Sequence, residues 1–289
     1  MNSLSLLSLS FTSINSFNLL RLSNHSSLHE YQTIQYALHR RPLAPRRRGL
    51  LWNGVWSRPV ALEQGLRVAI ASSNPTRVKD AVERLQKATN SDDAKVVGYT
   101  VDLSGPDVEA QLEKLLTEVK NGFDKKSLNH IVFTAGNSIE HRKTKDIDLD
   151  FIQRCGMVRF VAPLLIGKLA PRFVENHWSS SITLTSGKVA NKLMPEYTVL
   201  TAYAAGAEGM TRNLALDLKP IRVNLVSPGA VLTELWGPNP DGIIAALSQK
   251  MPLGKVGSVE EAAEPYIYLM KDTNSTGSII PTNGGELLL

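Results

Sequence analysis

A doubly wound α/β fold, with helices on both faces of a mostly parallel sheet, is the class that this sequence predicts. Three features carry the prediction. Short apolar runs recur along residues 66–281, stretches with helical periodicity separate them, and the runs are continuous rather than alternating. Strands buried on both faces read in this way, whereas half-exposed strands alternate.

The elements follow in order. RVAIA (Arg67–Ala71) is a strand that ends in the turn signal Ser72-Ser73-Asn74-Pro75. Thr76–Ala88 is amphipathic, with Val78, Ala81, Val82, Leu85 and Ala88 on one face. Lys95–Val101 is a strand and Val108–Val119 a helix. HIVFTAG (His130–Gly136) is a third run that stays apolar until it meets a loop of small residues, and His130 reads as its polar edge. Helices are expected at Leu149–Arg159 and Phe160–Val174, the second with Pro163 near its start. Ser181–Ser186 is a strand, Val199–Leu218 a long helix and Ile221–Ser227 a strand. Ile243–Lys250 and Glu260–Met270 are helical, and Ser278–Pro281 closes the series.

The 289 residues are 43% apolar, enough for a sizeable core. A lone cysteine, Cys155, excludes an internal disulfide framework and a cysteine-based zinc site, and reads as a buried small hydrophobe. The histidines are scattered without metal-ligand spacing, so no metal is expected. The net charge of +5 is unevenly placed. Up to Leu62, seven arginines face Glu30 alone, a surplus of six, which leaves the remainder at −1. The later residues therefore have no basic surplus that would argue for nucleic acid.

Residues 1–50 form a leader, rich in Ser, Leu, Asn and Arg and free of Lys, ahead of a domain over 51–289. Such composition is shared by organelle transit peptides. Polar residues interrupt its apolar stretch throughout, which excludes a membrane-spanning helix and suits a secretory signal poorly. A transit peptide would place the protein in a plastid or mitochondrion. A plain disordered tail, or an N-terminus that is not the biological one, would leave it cytoplasmic.

In a doubly wound domain, the first strand ends in a glycine-rich turn where a dinucleotide pyrophosphate approaches a helix N-terminus. Upstream of Arg67 the sequence offers LAPRRRGLLWNGVWSRPVALEQG, in which only Gly54 stands at a suitable distance. Pro59 falls inside the would-be helix, at a cost of ~3 kcal/mol or more. The first strand and phosphate loop are accordingly expected to be degenerate or missing.

Several motifs now stand at characteristic intervals: IASSNPTRV, Tyr99–Leu103, Thr134-Ala135-Gly136, IRVNLVSPGAVLT (Ile221–Thr233), MPLGKVGSVEEAAEPYIYLM and STGSIIPTNGG. Together they resemble the short-chain dehydrogenase/reductase family, which has a nicotinamide dinucleotide-binding Rossmann fold, over roughly Gly65 to Glu286. The resemblance implies oxidoreductase activity on a small carbonyl or alcohol, and a homodimer or homotetramer formed through Val199–Leu218. It implies that Ser72 and Ser73 lie at the adenosine ribose or its 2′-phosphate, and that Asp102 and Leu103 border the adenine. Ala135 and Gly136 would let the backbone pass the ribose, while Pro228, Gly229, Val231 and Thr233 would frame the nicotinamide. An acid at the ribose favours NAD and an Arg favours NADP. Ser72 and Ser73 are neither, and the missing carboxylate favours NADP, with NAD the alternative. Each position has a plainer reading as well. Asp102 can cap the following turn, and Pro228-Gly229 can be a strand-ending turn.

The family's proton donor is a Tyr whose acidity is raised by a Lys four residues later. Aligned on AEGMTRNLALDL, those positions hold Leu200 and Ala204, and the supporting Asn is absent near Met157–Arg159. Ser186 matches the family's serine, and Tyr203, one helical turn past Leu200, is the candidate substitute. Three readings stay open: an NADP-preferring oxidoreductase, a catalytically silent binding module, and a truncated chain with little activity.

Overall fold

The computed structural model describes residues 32–36, 66–89, 96–124, 126–232 and 241–289. Their strands are β1 (Gln32–Tyr36), β2 (Arg67–Ser72), β3 (Val96–Thr100), β4 (His130–Phe133), β5 (Ser181–Thr185), β6 (Arg222–Pro228) and β7 (Ile279–Thr282). All pair in parallel, in the order β3-β2-β1-β4-β5-β6-β7. The helices are α1 (Pro75–Thr89), α2 (Val108–Gly122), α3 (Leu149–Gly156), α4 (Ala162–Phe173), α5 (Thr198–Asp217), α6 (Asp241–Ser248) and α7 (Val259–Lys271). Strand order reverses between β1 and β4, and a crevice at the carboxyl ends of the strands beside such a reversal is where this fold takes ligands.

The unbroken apolar runs have the two-sided burial that they predict. Along β2, Ala69 and Ala71 join the core under α2, α4 and α5, while Val68 and Ile70 join the core that includes Leu85, Tyr266 and Leu269. Along β4, Ile131 and Phe133 face the first core and Val132 the second. Local signals place the helix starts. The Asp148 carboxylate accepts the Phe151 N–H at 2.7 Å at the start of α3, and Ser258 with Glu261 forms a reciprocal capping box on α7. Cys155 is buried, in a cluster with Phe151 and Val199. Among the described residues no helix is long and apolar enough to cross a membrane, and no grouping of side chains fits a metal ion.

Three features differ from the sequence reading. The slot for the first strand is taken by Gln32–Tyr36, inside the stretch assigned to the leader. Gln32 and Gln35 break the apolar signal of this strand, which lies some 30 residues before Arg67 in the sequence. A helix read from Leu149 through Arg159 divides: α3 ends at Gly156, and Met157–Val161 forms a π turn leading into α4. Such a turn inserts a residue into the helical ladder and re-aims the side chains on it.

His130, expected as a polar edge, is instead buried with its Nδ1 2.9 Å from the Ser181 hydroxyl oxygen. Its neighbour Arg222, also buried, spreads its guanidinium over main-chain oxygens. Nε donates to Trp178, Nη1 to Leu269 and Asp272, and Nη2 to Met270 and Ser179, at 2.7–3.2 Å. One side chain thus ties the segment before β5, the end of α7 and the turn before β7 to the start of β6.

Candidate active site

The carboxyl edge of the sheet is built from the loops that leave β2, β4, β5 and β6. The β2–α1 turn holds Ser72, Ser73 and Asn74. Asn74 starts α1, its side-chain oxygen accepting the Arg77 N–H at 3.1 Å and its carbonyl the Val78 N–H. Ser72 is buried and its hydroxyl oxygen accepts the Asn74 N–H at 3.4 Å, while Ser73 is half-buried. Arg77 lies four residues after Ser73, one helical turn along α1. Its Nη1 is buried and has no hydrogen-bond partner among the described residues. Ser72 and Ser73 themselves carry no charge. The position of Arg77, four residues after Ser73 in the first turn of α1, is the signal that the sequence offers for it.

Asp102 is exposed and its Oδ1 accepts the Ser104 N–H at 2.9 Å, so it caps the turn after β3. Leu103 is fully buried in the main core. Ala135 is buried and Gly136 follows it out of β4. A Cβ at Gly136 would fall 2.9 Å from Arg159 Nη1, so the bare glycine makes room for that guanidinium. Arg159 comes from the π turn, and its Nη2 donates to the Asn137 carbonyl. Its Nε is buried with no hydrogen-bond partner among the described residues, and burial pulls its pKa below the ordinary arginine value. Asn137 donates from Nδ2 to the Arg154 carbonyl at 2.7 Å, while its Oδ1 is buried with no hydrogen-bond partner among the described residues.

Ser186 leaves β5 with its N–H bonded to the Val226 carbonyl and its hydroxyl donating 2.9 Å to the carbonyl of Ala204. The hydroxyl thus meets the backbone at the position where the resemblance would put a lysine. Leu200 is buried. Tyr203 points elsewhere: its hydroxyl donates 3.1 Å to the Ile152 carbonyl on α3, and its ring packs on Gly156 and lies 5.5 Å from Phe160. Burial first, then the neighbouring Cys155, raises its pKa. That direction is opposite to the one that a proton donor at neutral pH needs.

At the end of β6, Pro228 and Gly229 are half-buried, and Gly229 donates to the Thr282 carbonyl at 2.9 Å. A Cβ at Gly229 would fall 2.7 Å from Asn283 Cα, so this glycine serves the close passage of the β7 end. Val231 is buried with Val259 and Ala262. Gly54 and Thr233 lie outside the described residues.

A feature without a sequence signal completes the edge. Lys188, two residues after Ser186, forms a largely buried ion pair with Glu286, and Lys192 donates to the Glu286 carbonyl. Gly187 lies against the Pro228 carbonyl. The loop after β5 is thereby locked to the segment after β7. The β4 loop is clasped in a similar way: His141 Nδ1 lies 3.0 Å from a Glu196 carboxylate oxygen and its ring stacks on Tyr197 just before α5.

Comparison with known proteins agrees with this architecture. A family model described as an SDR-like Rossmann domain matches residues 60–289. The chain is 42% identical over 231 residues to the short-chain dehydrogenase/reductase ATR9 of Stachybotrys chlorohalonatus, covering 79% of this chain and 90% of that protein. It is 37% identical over 235 residues to the short-chain dehydrogenase/reductase malC of Malbranchea aurantiaca, covering 79% and 88%. The solved structure of the MalC reductase/Diels-Alderase superposes with a TM-score of 0.77 over 82% of this chain and 93% of that one. A small-chain dehydrogenase solved in complex with NADPH is 25% identical, with a TM-score of 0.64 over 89% of this chain and all of that one.

Proposed function

We propose that this chain, which belongs to the short-chain dehydrogenase/reductase family, is an oxidoreductase that uses NADP(H), in preference to NAD(H), to interconvert a small carbonyl compound and its alcohol. Family membership supports the reaction class. One observation carries the cofactor preference: Arg77, four residues after Ser73 in the first turn of α1, has a buried Nη1 with no hydrogen-bond partner among the described residues. A donor held in that way lacks an acceptor, and a 2′-phosphate is an acceptor of suitable charge and size. The turn carries no carboxylate to repel it. The NADPH found with the 25%-identical dehydrogenase supports the same choice.

The residues at the strand ends fit the rest of such a nucleotide. Gly136, Gly187, Pro228 and Gly229 stand at the carboxyl ends of β4, β5 and β6 or in the loops that leave them. When bound, the nicotinamide supplies or takes up the hydride. Ser186 orients a substrate hydroxyl by accepting from it, since its own proton is directed at the Ala204 carbonyl. Leu200 and Ala204 offer no hydroxyl–ammonium pair, so the proton is exchanged with solvent.

Nucleotide affinity tests the preference. NADPH is expected to bind more tightly than NADH by about 10- to 100-fold, the range of a charge-assisted hydrogen bond. Arg77→Gln should abolish the difference by weakening NADPH alone. Equal affinity for the two nucleotides in the unaltered protein would end the NADP reading.

A second reading, a silent binding module, is favoured by the bond from Ser186 to Ala204 and by the direction of Tyr203. Oxidation of NADPH with a panel of ketones and aldehydes separates the two. Turnover is expected, with kcat/KM lowered at least about tenfold by Ser186→Ala. Tight nucleotide binding with no turnover on any carbonyl would establish the silent module instead.

A further inference from the structure

We propose that Arg159 makes the crevice a receptor for an anionic oxygen, the carboxylate or enolate of a substrate whose reacting carbonyl lies beside it. The inference rests on the reading that the strand-edge crevice takes a carbonyl substrate, and it names the class of that substrate.

The first ground is the contrast between Arg159 and the arginines around it. Arg154 pairs with Asp150 and Glu140, Arg142 with Asp148, and Arg172 with Glu113. Arg159 is half-buried and has no carboxylate partner among the described residues. A partly buried cation without a counter-charge is costly, and an anionic ligand would answer that charge where no set of main-chain acceptors does.

The second ground is its hydrogen-bonding inventory. A guanidinium has five N–H donors. One nitrogen, Nη2, donates to the Asn137 carbonyl; Nε is buried without a partner, and Nη1 has no hydrogen bond among the described residues. A neutral amide side chain could staple the Asn137 carbonyl without placing a charge there. The fork is also the shape that matches two oxygens of a carboxylate. The unpartnered Oδ1 of Asn137 adds an acceptor in the same loop, which suits a hydroxyl next to the anionic oxygen.

The third ground is placement. The guanidinium packs on Gly136, in the loop that leaves β4 beside the reversal of strand order. A Cβ at position 136 would fall 2.9 Å from its Nη1, so the glycine is what admits the guanidinium to this loop. At short range in a low-dielectric cleft, a single fixed charge discriminates strongly between an anion and its neutral analogue.

Calorimetric titration of the full chain, with and without NADPH, tests the assignment. Three probes suffice: phenylglyoxylate as a 2-oxo carboxylate, its methyl ester as the neutral analogue, and dimedone as a stable enolate. At least one anion is expected to bind about 30-fold more tightly than the ester. A preference for phenylglyoxylate identifies the carboxylate as the occupant, and one for dimedone the enolate. Arg159→Gln and Arg159→Met, the latter keeping the apolar stem, should each bring the anion down to the level of the ester while NADPH affinity stays within about threefold of the original. Equal binding of ester and anions, no binding of either anion, or an unchanged preference in a folded Arg159 variant would overturn the proposal. A matching fall in NADPH affinity would also overturn it, by assigning the guanidinium to the nucleotide. Anion preference in the nucleotide-free protein stands even where NADPH fails to bind, so the two readings fail separately.

Discussion

Replacing Arg222 by Met is expected to destabilise the protein by more than about 4 kcal/mol, the range reached when a buried hydrogen-bond network is broken. Five main-chain carbonyls, those of Trp178, Ser179, Leu269, Met270 and Asp272, accept from this one guanidinium at 2.7–3.2 Å. The site is 3% exposed, so water does not readily replace the lost donors. Each buried acceptor left bare costs about 1–3 kcal/mol before relaxation. The methionine would fill the volume but donate nothing. A domain has only about 5–15 kcal/mol in total, so much of the variant should be unfolded or insoluble. Arg222→Lys should recover little, because an ammonium cannot span acceptors spread in a plane. Thermal unfolding followed by circular dichroism reads the result, and a midpoint lowered by less than about 3 °C would contradict the network.

Acid sensitivity of the same region is the second large effect. His130 is buried beside Ser181, and burial first, with the charge of Arg222 second, pulls its pKa from 6.5 down to about 3. In the unfolded chain it titrates near its ordinary value. Between those two values the unfolded state binds a proton that the folded state refuses. Stability is therefore fully present above about pH 6.5 and falls as the pH drops toward 3. At about 1.4 kcal/mol per pH unit, the loss between pH 6.5 and 4.5 is about 2–3 kcal/mol from this residue. Urea unfolding across that window should show the decline in the unaltered protein and a flatter profile in His130→Asn. Parallel profiles would mean that His130 is protonated in the fold.

The carboxyl edge repeats this theme of long-range ties. Lys188 and Glu286 are 98 residues apart, yet their ion pair holds the loop after Ser186 against the end of the chain. Arg159 reaches across 22 residues to the Asn137 carbonyl. The side chains that shape the crevice are thus fixed by partners remote in the chain.

Local chemistry alone determined a good deal of this molecule. The apolar runs at Arg67–Ala71, His130–Phe133, Ser181–Thr185 and Ile221–Ser227 stand as parallel strands, because an unbroken run of that length has nowhere to go but between two helical layers. Helical periodicity placed α1, α2 and α5 within a few residues of their ends. The tertiary structure decided the rest. It put Gln32–Tyr36 into the central slot, where polar glutamines conceal a strand whose position is set by its neighbours' hydrogen-bonding edges. It turned Tyr203 toward α3 and directed the Ser186 hydroxyl at Ala204. It buried His130, which a strand boundary alone marks as exposed. The reason is physical: periodicity reports which face of an element is apolar, a property of adjacent residues. Where a polar side chain points, and whether its charge is answered, depends on atoms brought close only when the sheet and helices have packed.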